Sequence, residues 1–334
     1  MPAKNTIFIY KILSFFIIIY MKRVISNEIE LVDAFKECEE GDVIVVNSGT
    51  YYLSDTLELN VNNVTVTGDK NKRPVLDFSK TQQGTNGFVV KCDDAHIDNL
   101  IIQYAGHKGL LAQTNNSVFE NIDTLGNCDC GFQLKRTSKT KVINCCSYKN
   151  FGYLVNGFNS DGFCDKQYEG EGNEWINCKS WKNADDGFDF FERITPSDKP
   201  TILKNCVAFD NGLESIDLTD NPRIKTDNKF FEERKCDLEK YPSSGNGNGF
   251  KLGGRGTLHN ITLDNCVAFN NKHSGFTKNC NGGRIELNFC VSSNNECNFS
   301  IRGREEQIIA KNCISTKSKF LEGNKKNKNI NIYG

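Results

Sequence analysis

Proline is scarce in this chain, with 6 in 334 residues, and Met and Trp number 2 each. Turns must be made by Asn, Asp and Gly, which close one short apolar run after another. Helical spacing of apolar residues is missing over long stretches, so a strand-rich chain with many tight turns is expected. Net charge is nearly absent: 41 Lys and Arg stand against 42 Asp and Glu. Such a chain has no sequence-wide attraction for nucleic acid or an anionic membrane. Its basic residues are scattered, with no aromatic-basic array. Paired Cys-x-x-Cys sets are missing too, and Cys128 and Cys130 are one residue apart, which argues against zinc.

Cysteine is abundant and odd in number, 15 in all. Most lie inside apolar runs, as Cys145, Cys178, Cys206, Cys266, Cys290 and Cys313 do, and read as small buried hydrophobes with reduced thiols. The run "IFIYKILSFFIIIY" at 7–20 is 14 residues long, short for a membrane span. It resembles a secretory apolar segment, although Lys11 interrupts it and no A-x-A-like site follows. Residues 1–20 are therefore expected to be a signal segment or upstream extension, with a secreted or cell-envelope destination and no stable membrane anchor after processing. A start at Met21 would imply the cytoplasm instead.

Asn-Cys pairs recur along the chain. The asparagines fall at 99, 121, 144, 177, 205, 265, 288 and 312, with gaps of 22, 23, 33, 28, 60, 23 and 24. The base unit is about 23 residues, and the gap of 60 is expected to hide two units. Each unit passes from an apolar strand through Asn-Cys to a second strand and then to Gly-Phe: "CGF" 130–132, "DGF" 161–163 and 186–188, "NGF" 248–250, "SGF" 274–276. A unit this short must stack on its neighbours. Leucine-rich spacing and a helical half are missing, which leaves an all-β, single-stranded parallel β-helix, right-handed like other parallel crossovers. Asn at one corner would form an internal amide ladder, with Cys filling a narrow interior stack. Residues 26–40 break the pattern. Ile29, Val32, Phe35 and Cys38 mark an amphipathic helix, capped near Ser26 or Asn27, ended by Gly41 and covering the first coil. The expected organisation is a cap helix and first strand over 21–49, a β-helix over 50–325 with a loop insertion at about 219–245, and a tail at 326–334.

"NADDGFDFFE" (183–192) crowds Asp185, Asp186 and Asp189 into a strand whose Phe188 and Phe190 read as core. Asp161 lies 24 residues before Asp185, about one coil, so stacking should gather four carboxylates on one outer face. Without basic neighbours they would repel one another, and a hard divalent cation such as Ca²⁺ resolves the conflict. Asp-Gly alone is an ordinary turn former; the set of four is what points to a metal. "GNGNGFKLGG" (245–254) repeats the Gly-Phe register, with Lys251 where Asp189 would stand and Gly253 and Gly254 leaving room beside it. Residues 220–245 read as a polar loop that could wall a groove.

"GNEWINCKSWKNADDGFDFF", "NGNGFKLGG" and "NCVAFNNKHSGFTKN" together resemble polysaccharide lyase family 9, the right-handed β-helix pectate lyases with a pectin-lyase-like solenoid, over roughly residues 40–315. The resemblance implies Ca²⁺ held by Asp161, Asp185, Asp186 and Asp189, and Lys251 as the Brønsted base of β-elimination on polygalacturonate, in a monomeric enzyme. Ca²⁺ nearby should depress the Lys251 amine toward a useful range. Arg255, Arg302 and Arg304 are candidates for binding uronate carboxylates, though each also reads as an ordinary surface residue. The competing readings are a polygalacturonase-type β-helix hydrolase, echoed by "ADD" (184–186) and "RIK" (223–225) but lacking Gly-His-Gly, and a non-catalytic carbohydrate-binding β-helix.

Overall fold

The computed structural model describes residues 6–13, 16–304, 306–317 and 330–333. Its strands are mostly three or four residues long and stack in parallel, one coil on the next. Each coil supplies up to three. One ladder runs Lys141–Ile143, Glu174–Ile176, Thr201–Lys204, Ile261–Asp264. A second runs Cys146–Tyr148, Lys179–Trp181, Val207–Phe209, Val267–Phe269. The third is a separate nine-stranded sheet from Leu57–Leu59 to Cys297–Ser300. The chain is a parallel β-helix.

Packing follows the repeat. The Phe of each repeat Gly-Phe, unlike exposed Phe158, points inward, and Phe163, Phe188, Phe250, Phe276 and Phe299 stack with ring centroids 5.0, 4.8, 4.9 and 5.1 Å apart. Phe299 follows Asn298, but the Gly before each of the other four is required by close approach. A Cβ on Gly187 would lie 2.7 Å from the Gly249 carbonyl oxygen, and one on Gly249 would lie 2.7 Å from that of Gly275. Cys145, Cys178, Cys206, Cys266, Cys290 and Cys313 form a fully buried column. The Cys178 thiol donates to the Val142 carbonyl at 3.4 Å and Cys206 to that of Trp175 at 3.4 Å, one coil back. All 15 cysteines are free.

The asparagine ladders differ from expectation. The Asn of the Asn-Cys pairs does stack, as in Asn177 Nδ2 to Asn144 Oδ1 and Asn205 Nδ2 to Asn177 Oδ1, both 3.0 Å, but that ladder is exposed. Its corner needs a left-handed backbone, φ 53° at Asn144 and 56° at Asn177, which Asn tolerates. In the coil of Cys290 that corner passes to Phe289, φ 54°, so Asn288 is one position off. The internal ladder is a different set: Asn127, Asn150, Asn183, Asn211, Asn271 and Asn295 are buried and joined amide to amide at 2.8–3.0 Å. It secures the turn just before the aspartates.

The gap of 60 holds no second coil. Thr201–Lys204 pairs directly with Ile261–Asp264, and Phe188–Asp189 with Phe250–Lys251. The extra chain leaves the solenoid, forms helices Arg223–Thr226 and Asn228–Arg234, and returns through the Tyr241–Pro242 pairing with Ser215–Ile216. It is not a plain polar loop. Leu218, Phe231 and Tyr241 pack with Cys128, Phe151, Tyr153 and Ala184 in a second apolar cluster. Arg223 is fully buried and donates to the carbonyls of Phe78, Thr81 and Tyr104 at 3.0–3.3 Å, while pairing with Asp227 at 2.9 Å. "RIK" is thus a structural clamp, and the hydrolase echo has no chemical counterpart at this position.

The N-terminal helix is Glu28–Glu37, with the Asn27 side chain accepting from Glu30 N–H at 3.0 Å. Its covering face is Leu31, Ala34, Phe35 and Cys38, while Ile29 is 75% exposed. Helical geometry ends at Cys38, so Gly41, φ 89°, shapes the turn beyond it instead of stopping the helix. Within the expected leader, Thr6–Leu13 pairs antiparallel with Phe16–Ile25, whose later residues continue in parallel to Val43–Val46; residues 1–5 and 14–15 lie outside the described residues. In the tail, residues 318–329 and 334 lie outside them as well, and Ile330–Tyr333 pairs with Ile308–Thr316.

Candidate active site

The site lies where two columns of the nine-stranded sheet cross three coils. The first column holds the residue before Gly-Phe. Gly162 N–H donates to the Asp186 carbonyl and Gly187 N–H to that of Asn248, which stacks Asp161, Asp186 and Asn248. The second column holds the first outward residue after Phe: Cys164 pairs with Asp189, and Asp189 with Lys251. Short parallel strands in strict register therefore turn a spacing of three residues into one constellation. Asp161 is a stacking partner of Asp186, and not of Asp185 as the spacing of 24 suggests.

Asp161, Asp186 and Asp189 each direct a carboxylate oxygen into one spot, all within 4.8 Å of one another. Asp185 stands beside them but differently. Its two oxygens accept backbone N–H groups of Asn159 at 2.9 Å and Asn246 at 2.7 Å. Asn248 holds Asp186 from the next coil, its N–H and side-chain amide donating to Oδ1 at 2.7 and 2.8 Å. The return of the insertion thus fixes both members of the Asp185–Asp186 pair.

The acids do have basic neighbours, contrary to expectation. Lys251 Nζ lies 3.0 Å from Asp186 Oδ2 and 3.4 Å from Asp189 Oδ2. Lys166, which the sequence reading did not single out, lies 2.9 Å from Asp161 Oδ2 and 2.8 Å from Asp189 Oδ2. Its only sequence signal is its place five residues after Asp161, just past the strand Phe163–Asp165. Cys164 donates to Asp161 Oδ2 from below at 3.2 Å, bringing Cys130, Asp161 and Cys164 together as a second trio.

Burial drives the Asp185 carboxyl up to about 8, with Asp186 and Asp161 adding to the rise. Burial likewise lifts Asp186 to about 6, against the pull of Lys251. At Asp189 burial is overcome by Lys166 and Lys251, which hold it below the usual range. The Lys251 amine is the reverse of expectation: burial pulls it down, but Asp186 and Asp189 outweigh that and hold it well above the ordinary lysine value. The carboxylates thus keep Lys251 protonated in the geometry at hand. The fully buried His259 imidazole bridges the Leu252 carbonyl and Thr201 Oγ1 at 3.0 Å each, which supports the strand just after Lys251.

Lys166, Asp185, Asp189 and Lys251 line a cavity of ≈ 470 Å³, with Lys108, Gln133, Lys135, Phe158 and Phe191 among its other walls. Lys251 Nζ sits 5.2 Å from the Phe191 ring centroid. Arg255 is at the rim, 75% exposed, paired with Glu192 at 2.8 Å and 5.5 Å from the same ring. Arg302 and Arg304 are exposed on the segment before Ile308–Thr316 and are not brought to the cavity. Three hard carboxylate oxygens crowded in one buried place, one of them on the Asp186 carboxyl that burial forces upward, fit a hard divalent cation in their donor chemistry.

The chain matches the family described as Pel9A-like, right-handed β-helix region over residues 22–327. It is 29% identical over 282 residues to Pectate lyase L of Dickeya chrysanthemi, covering 80% of this chain and 60% of that protein. To Pectate lyase L of Paenibacillus polymyxa it is 31% identical over 298 residues, covering 83% and 61%. The crystal structure of pectate lyase Pel9A superposes with a TM-score of 0.70 at 27% identity, over 86% of this chain and 70% of that one. A rhamnogalacturonan lyase at 21% identity and TM-score 0.63 shares the fold. The chain spans about three-fifths of the length of these Dickeya and Paenibacillus relatives.

Proposed function

The chain belongs to the Pel9A-like right-handed β-helix family, and from that premise we propose that it is a calcium-dependent pectate lyase cleaving polygalacturonate by β-elimination, with Lys251 as the base. The observation that carries this reading is the register of Lys251 on Asp189, which sets an amine against a buried carboxylate trio at one cavity wall. Asp161, Asp186 and Asp189 would hold the Ca²⁺, with Asp185 beside them. When bound, the cation supplies charge neutralisation for the uronate carboxylate, which makes the weakly acidic C5 proton removable.

The chain's residues do the rest. Lys251 Nζ, having lost a proton to solvent, takes the C5 proton. The C5–H electron pair becomes the C4=C5 double bond as the C4–O bond breaks, and the leaving oxygen takes a proton from solvent. Drawing negative charge away from Asp186 and Asp189 removes what holds the amine up, so burial then pulls it toward a range suited to a base. Asn248 and Asn246 keep Asp186 and Asp185 in place. Phe191 forms an apolar wall beside the amine, and Gly254 makes room for it, since a Cβ there would lie 2.3 Å from the ring. Exposed Lys135 gives the same cavity a positive charge suited to a polyuronate, while Lys108 is paired with Asp129 at 2.8 Å.

Mass analysis of products from polygalacturonate, with and without EDTA, tests the proposal. Unsaturated oligomers, one water lighter than hydrolysis products and lost with EDTA, are expected. Saturated oligomers would assign a hydrolase, and an intact polymer a non-catalytic β-helix.

A further inference from the structure

Lys166 is a buried charge for which the reaction above has no use. Its side chain is 13% exposed, and its ammonium bridges Asp161 and Asp189 at 2.9 and 2.8 Å. Asp189 Oδ2 thereby receives two ammonium groups, from Lys166 and Lys251. The two lysines are not equivalent. Lys251 also reaches Asp186 and belongs to the coil after Asp189; Lys166 belongs to the coil before it, at the end of Phe163–Asp165. One coil further back, Phe132–Leu134 pairs with Phe163–Asp165, which puts Lys135 next to Lys166 in the stack. Both line the cavity, and Lys135 is exposed.

We propose that Lys166 is a resident counter-cation that a divalent metal ion displaces from Asp161 and Asp189, and that the freed ammonium then joins Lys135 in holding a carboxylate of the bound polyuronate. This rests on the calcium-dependent lyase reading. The oxygens that Lys166 bridges belong to the trio that would hold the ion. Lys166 sits closer to its two oxygens, 2.9 and 2.8 Å, than Lys251 does to its pair, 3.0 and 3.4 Å, so a cation bound by Asp161 and Asp189 competes first with Lys166. Buried acids left with neither would be strongly unfavourable, so one positive group must always stand there. The lysine stem is flexible and tethered at the cavity wall, which gives the displaced charge a short path to the substrate side.

Two measurements test it. In the wild-type chain, reductive methylation read by mass spectrometry should label Lys166 poorly in EDTA and several-fold more in Ca²⁺, about fivefold or above, because a bridged buried amine becomes solvated. Equal labelling in both would overturn displacement. In Lys166→Met, which keeps the apolar stem, calorimetric Ca²⁺ affinity should rise about tenfold or more, because no ammonium has to leave and no like charge remains nearby. KM for polygalacturonate at saturating Ca²⁺ should rise about tenfold with kcat within about threefold, as expected when uniform binding is lost, and Lys166→Arg should recover part of it. Unchanged or weaker Ca²⁺ affinity would overturn displacement. Collapse of kcat with KM kept would make Lys166 the base and end the clamp. Should Lys166→Met not fold, the wild-type labelling still decides displacement, and Lys166→Gln gives the kinetic split. A protein that binds Ca²⁺ but leaves polygalacturonate intact defeats the lyase reading and the clamp, while labelling and calorimetry still judge displacement.

Discussion

Replacing Asn183 by Ala removes one rung of the buried ladder that ends at the aspartates. Asn183 Oδ1 accepts from Asn150 N–H at 3.2 Å and from Asn150 Nδ2 at 2.8 Å. Its Nδ2 donates to Asn211 Oδ1 at 2.9 Å and Ser180 Oγ at 2.9 Å. The substitution orphans the buried Asn150 N–H and removes two further amide bonds, while Asn150 Nδ2 keeps Ser147 Oγ at 3.1 Å and Asn211 Oδ1 keeps the Asn183 N–H at 3.2 Å. At about 1–3 kcal/mol for the orphaned N–H and about 0.5–1.5 kcal/mol for each of the two lost amide bonds, the loss is about 2–6 kcal/mol. The control is Asn177→Ala in the exposed ladder, where two bonds of the same type, both 3.0 Å, are replaced by water. Its cost is about 1–2 kcal/mol, from the left-handed backbone that Asn tolerates better than Ala. Urea unfolding of both variants measures the difference. Asn183→Ala should also weaken Ca²⁺ binding, because Asp185 and Asp186 follow it directly. Equal stability losses in the two variants would refute the claim that the buried ladder, and not the corner one, holds this turn.

Other consequences follow from the same geometry. The Asp186 and Asp185 carboxyls are raised in the fold to about 6 and about 8, whereas in the unfolded chain they ionise near 3.8. The folded state therefore binds more protons between those values, and metal-free stability falls as pH rises from about 4 to about 8. Ca²⁺ favours the ionised form, so the gain in Tm on adding it should grow from pH 5 to pH 8; a constant gain would contradict the shifts. Arg223→Ala should cost about 3–5 kcal/mol by taking the guanidinium from half-buried Asp227 and from the carbonyls of Phe78, Thr81 and Tyr104, and limited proteolysis should then cut within 219–245. Asp189→Asn should lower Ca²⁺ affinity at least about tenfold by calorimetry; unchanged affinity would remove Asp189 from the ligand set.

The repeat was legible because each coil spends its few residues in the same way. Gly-Phe, Asn-Cys and the apolar strands between them are dictated by stacking, so the period and the parallel β-helix can be counted off the chain. The aspartates and Lys251 stood out because they sit in that register and break its composition. Registers a residue or two apart were not legible. Asp161 stacks on Asp186 instead of Asp185, and the buried asparagines were hidden behind the more regular Asn-Cys pairs, because only the coil's cross-section decides which corner faces inward. The 60-residue gap was long enough for two coils, and only the pairing of Thr201–Lys204 with Ile261–Asp264 shows that it holds one. Lys166 carried no motif; its role comes from a flexible side chain reaching across one coil. Ile29 fits a three-residue spacing yet faces away, because the helix covers the coil end with Leu31, Ala34 and Phe35.

The central claim is that Lys251 removes a proton at a metal-dependent site. The initial rate of ultraviolet absorbance from unsaturated product, measured on polygalacturonate with Ca²⁺ for wild type and Lys251→Ala at equal folded concentration, tests it most directly. The account predicts a rate about 10²–10⁴-fold lower in the variant, with calorimetric Ca²⁺ binding retained. A Lys251→Ala protein that cleaves at the wild-type rate would contradict it.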